Sequence, residues 1–305
     1  MIAALRAAVL RPAPVGAGLP AAYGAAALSV LIWGATPAAT QLAVDGIDPI
    51  TAGVLRTVLA AMIAVPLAVY FGMPLPTGAR QWCLLIVSST GVFIGFPLLF
   101  SLGIKQTSVS HASLINAGIP IFTGLFGAVA EKRLPSPIWG LGVAVAFVGV
   151  GLLIGFRDET GGDATLVGDL LCLASSASSG LGYVTGTRLG LSIGSRSSAF
   201  WGLGFAGVVM APLLYVYVGA TDWGSVSAVN VSAILYMAII SSIIAFIAWY
   251  WALGKGGIVR MAPLQFAMPV ISLTLAVIVF GERLSIAIVV SAVVIIAGIA
   301  IARKG

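Results

Sequence analysis

Four short motifs occur twice in this chain, in the same order and about half its length apart. Leu102-Gly103 returns as Leu253-Gly254, Ala112-Ser113-Leu114 as Ala262-Pro263-Leu264, and Ile119-Pro120-Ile121 as Met268-Pro269-Val270. Glu131-Lys132-Arg133-Leu134 returns within Gly281-Glu282-Arg283-Leu284, and the offsets run from 149 to 151 residues. Such a chain is expected to fold as two copies of one unit. Composition decides the solvent. Of 305 residues, 60% are hydrophobic and 8% charged, with a mean hydropathy of +1.14. A water-soluble domain carries about 25% charged residues. Too few polar side chains exist to cover a surface in water, so the expectation is an all-α integral membrane protein.

A membrane-crossing helix needs about 20 mostly apolar residues. Breaking the chain at its Pro, Gly and charge clusters predicts ten: 21–44, 50–71, 81–101, 109–130, 136–156, 166–188, 197–219, 229–252, 259–280 and 285–302. Residues 1–20 form an expected uncleaved cytoplasmic tail, because no unbroken apolar core precedes a small-residue cleavage site. The two repeats then occupy 21–156 and 166–302, five helices each, bridged by Arg157–Asp163. With the N-terminus inside, the cytoplasmic segments hold eleven basic residues: Arg6, Arg11, Arg80, Lys132, Arg133, Arg188, Arg196, Lys255, Arg260, Arg303 and Lys304. The outer segments hold three, Lys105, Arg157 and Arg283. Positive charge stays inside, so both termini are expected in the cytoplasm. Five spans per repeat turns the second repeat upside down relative to the first, a recurrent transporter plan with its site near the midplane. Cys83 and Cys172 then lie near opposite faces, and no disulfide is expected.

Read at mid-depth, six spans are polar or kinked: Trp33–Pro37, Gly91–Pro97, Asn116–Pro120, Ser175–Tyr183, Ser241-Ser242 and Gln265–Pro269. Spans 5 and 10 are nearly all aliphatic and glycine. A proline frees a carbonyl that a neighbour or water must satisfy, so kinks at this depth suggest a lined cavity; ordinary small-residue packing is the alternative. Expected lining residues are Trp33, Thr36, Phe93, Phe96, Asn116, Ser179, Tyr183, Ser242, Trp249 and Gln265, with Phe246 and Phe266 also deep. Pro37, Pro97, Pro120, Pro263 and Pro269 are the expected kinks or gates. Trp82, Trp139, Trp201 and Trp223 lie near span ends and read as interface anchors. Gly91/Gly95, Gly151/Gly155 and Gly182/Gly186 carry spacing for close helix contact.

Charges are scarce inside the spans. No Asp or Glu falls within one; Asp169 comes nearest, about one turn from an end. Intramembrane carboxylates are the usual proton relays, so facilitated transport or exchange is expected over tight proton coupling. His111 reads as an interfacial residue, with a coupling role as the alternative. Arg56 is the one charge well inside a span, where burial costs about 2.5–3.5 kcal/mol on insertion scales. It either snorkels outward, pairs with Asp45 or Asp48, or meets a substrate carboxylate. No phosphate-binding loop of the type G-x-x-x-x-G-K-[ST] is present, so the chain does not by itself run on ATP. One histidine and no Cys/His cluster argue against a metal site. No catalytic set, cofactor or nucleic-acid partner is expected, and the chain is expected to be monomeric.

Trp33-Gly34 followed by Pro37, Arg56 after Asp48-Pro49, Leu102-Gly103-Ile104-Lys105, the Pro120 region and the Glu131 motif together resemble an EamA-type repeat. Ala252-Leu253-Gly254, Ala262-Pro263-Leu264, Pro269 and Gly281-Glu282-Arg283-Leu284 resemble its second copy. Over residues 22–302 the chain resembles the drug/metabolite transporter superfamily, and within it the ten-helix exporters of the YddG type. That resemblance implies an alternating-access carrier in a bacterial-type inner membrane, exporting aromatic or hydrophobic amino acids or related metabolites. Its cavity would be lined by spans 1, 3, 4, 6, 8 and 9. Drug efflux, with or without proton coupling, is the alternative, and a channel or membrane-embedded enzyme is a more distant one. The second copy lacks the Trp-Gly-Pro opening, with Ser175–Gly182 in its place, so contacts do not transfer by symmetry.

Overall fold

The computed structural model describes residues 18–132, 136–156, 164–256, 258–261, 264–265 and 267–302. All regular structure among them is helical. The helices are α1 (Leu19–Gly34), α2 (Thr36–Val44), α3 (Pro49–Tyr70), α4 (Ala79–Ser89), α5 (Phe96–Ile104), α6 (Val109–Asn116), α7 (Ile119–Glu131) and α8 (Pro137–Gly155). The second half holds α9 (Leu166–Ile193), α10 (Ser195–Tyr217), α11 (Ala228–Leu235), α12 (Ala245–Gly256), α13 (Ile258–Met261), α14 (Ala267–Phe280) and α15 (Ile286–Ala302). Two wide π-helical turns, Thr90–Gly95 and Tyr236–Ile244, join α4 to α5 and α11 to α12.

Seven segments are long and apolar enough to cross a membrane: Leu19–Val44, Pro49–Tyr70, Ala79–Ile104, Val109–Glu131, Pro137–Gly155, Ser195–Ala220 and Ala228–Leu253. α14 and α15 are apolar but shorter. At 28 residues α9 has the length without the hydropathy, because its Ser175, Ser176 and Ser179 turn into the protein and are buried. Starts follow local chemistry. Asp48, Ser108, Ser136 and Thr165 each accept a backbone N–H from the first turn of the helix they precede, and Ser227 with Asn230 forms a capping box.

Several spans that the sequence reads as continuous are interrupted. Pro37 follows the break at Ala35, and the Ile32 and Gly34 carbonyls beside it accept from Tyr236 (2.7 Å) and Ser272 (2.6 Å). Pro97 has no N–H to give to the carbonyl four residues back, that of Phe93; Thr57 Oγ1 donates to it instead at 2.9 Å. Pro120 follows a break at Ala117-Gly118 and is solvent- or lipid-accessible, and Pro269 is buried near the start of α14. Pro263 and Phe266 lie outside the described residues. In hydrocarbon every freed backbone group needs a protein partner, and the breaks at Pro37 and Pro97 have side-chain donors beside them.

Contacts between the halves come in matching pairs. α8 packs on α15, and α3 on α10. α1 packs on α12 while α9 packs on α4 and α5; α14 packs on α1 while α9 packs on α6 and α7. Glycine sets the closest approaches. A Cβ on Gly142 would lie 2.6 Å from the Gly298 carbonyl, and one on Gly91 would lie 2.7 Å from Gly182 Cα. The spacing at Gly151/Gly155 is different: both face open space, and the contact of α8 runs through Gly142 and Gly149.

One face of the molecule is extensively cross-tied. Glu282 accepts from the Val109 and Ser110 amides at 2.7 and 3.0 Å, capping α6. Asn230 donates to Leu42 O (2.7 Å), the Asp48 amide to Thr221 Oγ1 (3.0 Å), and the Thr165 amide to Gln106 O (3.0 Å). On the opposite face Glu131, the repeat counterpart of Glu282, is exposed.

Candidate functional site

The interrupted segments meet where α1, α3, α9 and the two π turns converge. Trp33 stands at the centre, donating Nε1–H to the Ser241 carbonyl at 3.1 Å. That carbonyl belongs to the wide turn, whose looser ladder leaves room for a side-chain donor. Thr36 Oγ1 lies 3.0 Å from Ser241 Oγ, and Ser242 donates within the same turn to Met237 O at 2.8 Å. The Trp33 ring meets Phe246 and Trp249 edge to face at 5.2 and 5.6 Å, and Phe246 continues to Phe93 (6.2 Å) and Tyr250 (6.0 Å). Five aromatic rings thus form one connected cluster between elements of the two halves.

Beside it lies a void of about 40 Å³, bordered by Phe93, Tyr183, Phe246, Tyr250 and the polar side chains of Ser88 and Ser198, among others. At about 10–15 Å³ of such space per water, it holds a few waters. Tyr183, well inside α9, borders this void and is 38% accessible.

Arg56 lies seven residues into α3, about 10 Å at the helical rise. Neither expected acid reaches it. Asp48 accepts from the Thr51 amide and hydroxyl, and Asp45 accepts from Gln41 at 2.7 Å. No described carboxylate lies within ion-pair distance of Arg56. Its guanidinium stands 5.7 Å over the Phe96 ring, which stacks on Phe100, and its Nη1 reaches only the Met237 sulfur at 4.0 Å. The ionisable groups near enough to interact with it are the phenols of Tyr183 and Tyr236. Arg56 itself is partly accessible, so the expected structural pair with Asp45 or Asp48 is not formed.

His111 also departs from expectation. It is fully buried, with Nδ1 at 3.1 and 3.2 Å from the two oxygens of a fully buried Asp169, which also accepts from Thr107 at 2.6 Å. Both residues lie in the first turns of their helices, as the sequence places them; their burial and their pairing are what the sequence does not show. The reason is packing: α6 covers the first turn of α9, which linear distance along α9 does not reveal.

Of the expected lining residues, Trp33, Thr36, Phe93, Ser242 and Trp249 come together around the π turns, while Phe96 and Tyr183 gather at Arg56. Asn116 stands apart, its Oδ1 accepting from Ser176 at 2.9 Å. Ser179 is buried within α9, and Gln265 is half-buried without a hydrogen bond to a described residue. Tyr236, Met237 and Tyr250 escaped the sequence reading. Tyr236 and Met237 sit in the second π turn, which no proline announces.

The architecture is that of a polytopic helical membrane protein with an aromatic and cationic centre. The EamA-like transporter family matches residues 21–155 and again 166–303, and the chain belongs to that family. It is 31% identical over 277 residues to the uncharacterized transporter YdeK of Bacillus subtilis, covering 91% of this chain and 95% of that one. It is 25% identical to a probable amino-acid metabolite efflux pump of Escherichia coli, over 90% and 92% of the two chains. A solved crystal structure superposes with a TM-score of 0.63 at 19% identity, covering 93% and 96%, which shows the shared fold. The protein is a multi-pass inner-membrane transporter.

Proposed function

We propose that the protein exports amino acids, aromatic or hydrophobic ones foremost, or related small metabolites by alternating access. In this reading ten spans form two inverted five-helix repeats, with both termini in the cytoplasm, and the protein works as a monomer of the YddG type. The observation that carries it is the aromatic cluster of Trp33, Phe93, Phe246, Trp249 and Tyr250, built from both halves beside a void between them. Aromatic faces suit an apolar or aromatic substrate body. The void has room for a few waters, and in this reading a substrate takes their place as the halves separate. Glu282 holds one face together while Glu131 is exposed on the other, which supports opening toward the Glu131 face. The name of the Escherichia coli relative supports the substrate class.

The test is counterflow in proteoliposomes loaded with unlabelled amino acids, without an imposed proton gradient. Labelled phenylalanine or leucine should accumulate transiently. A second reading, proton-coupled export, is favoured by the buried His111–Asp169 pair. Strict dependence of transport on a proton gradient, lost in Asp169→Asn, would select it over facilitated exchange.

A further inference from the structure

We propose that Arg56 is the anion-holding residue of the transport site, and that the substrate therefore carries a carboxylate or an oxyanion of similar size. The inference rests on the transporter reading and names the chemistry of its cargo. A guanidinium brings five N–H donors in a planar fork that matches a carboxylate through two parallel hydrogen bonds. Here the fork has a sulfur at 4.0 Å as its sole hydrogen-bond partner, and one ring beneath it. The three acids that the fold brings nearest to the spans' interior are committed elsewhere. Asp45 is taken by Gln41, Asp48 by the first turn of α3, and Asp169 by His111 and Thr107.

The surroundings fit an occupied state. Phe96 fixes the plane of the fork from one side by a cation–π contact, leaving its edge free. Tyr236 donates its proton to Ile32 O at 2.7 Å. Met237, whose sulfur Arg56 reaches, belongs to the wide turn whose Ser241 carbonyl holds Trp33, so an anion on Arg56 would place its apolar body beside the aromatic cluster. A cationic cargo would place a second positive charge beside Arg56 with no described carboxylate to offset it. The site thus selects organic anions and zwitterions over cationic amines and dyes.

The experiment uses purified full-length protein in detergent and in proteoliposomes, with matched probes. These are 3-phenylpropionate, phenylalanine and phenethylamine, together with the isobutyl set 4-methylpentanoate, leucine and isoamylamine. Carboxylate-bearing members should raise the melting temperature and compete in counterflow, and the amines should do neither. Arg56→Gln should weaken the carboxylate response at least tenfold, and Arg56→Lys should recover part of it. Without ligand, Arg56→Gln should melt close to the parent, because it loses only the ring contact with Phe96 and the long contact with the Met237 sulfur. A marked drop in its ligand-free melting temperature would assign Arg56 a structural partner and overturn the proposal. Equal responses to amines and carboxylates, no response to any carboxylate, or an unchanged response in Arg56→Gln would also overturn it. Counterflow absent for all probes, with Arg56-dependent stabilisation by carboxylates intact, would sink the transport reading and leave the anion site standing.

Discussion

Asp169 and Arg56 show how two charged side chains within the spans take opposite fates. Asp169 is enclosed by two donors, His111 and Thr107, and locks the start of α9 to the start of α6. Leaving a buried donor without its acceptor costs about 1–3 kcal/mol. Asp169→Asn should accordingly lower the melting temperature in detergent by several degrees. Thr107→Ala, which removes one hydrogen bond, should cost about 1–2 kcal/mol and a smaller shift. An unchanged melting temperature in both would mean the cluster is not structural. Arg56 was legible in the sequence as an anomaly, since a lone charge inside an apolar run stands out. That Asp45 and Asp48 fail to meet it was not legible, because both lie near the start of the same helix in sequence and the structure engages them with Gln41 and Thr51 instead. Asp169 stands one turn into α9, where the sequence puts it, but its burial was not legible, because that depends on the neighbouring helix.

Within the elements, prolines announced some interruptions and were silent on others. Pro37 and Pro97 mark breaks that the sequence foretells, and the structure adds the donors that settle them. Thr57→Val should therefore leave the Phe93 carbonyl without its partner and cost about 1–3 kcal/mol, read as a lower melting temperature. The second wide turn, Tyr236–Ile244, contains no proline and no glycine, so nothing in its residue types signals it. Glycine spacing was a weaker guide than expected. Gly182 does lie against a neighbouring backbone, where a Cβ would come within 2.8 Å of Val92 N, so Gly182→Ala should force α9 away from the first wide turn. Gly151→Ala should change nothing, since that position meets open space. Comparing the two variants by thermal melting and yield of monodisperse protein separates packing glycines from merely permissive ones.

For the whole molecule, the doubled motifs were the most informative signal, because the family match falls on two halves of the chain, 21–155 and 166–303, which hydropathy alone does not mark. α9 is the case in point: its buried serines depress its hydropathy, yet its place in the repeat marks it as the partner of the α1–α2 segment. Orientation is open to direct measurement in a Cys83→Ser background, with Cys172 buried. A membrane-impermeant maleimide should label Asp222→Cys in intact cells and Thr77→Cys only in inside-out vesicles; the reverse pattern would overturn the charge-based topology. The wide turns bear on the molecule as a whole. They end at Gly95 and Ile244, 149 residues apart, within the offset of the repeat itself. Each holds a residue that an ordinary helix would not need. Trimming one residue from either stretch would restore regular winding and rotate everything beyond it by about 100°, carrying Phe96 or Phe246 out of the centre. The length of the chain at these two places is therefore a matter of aim, not of the thickness of the bilayer.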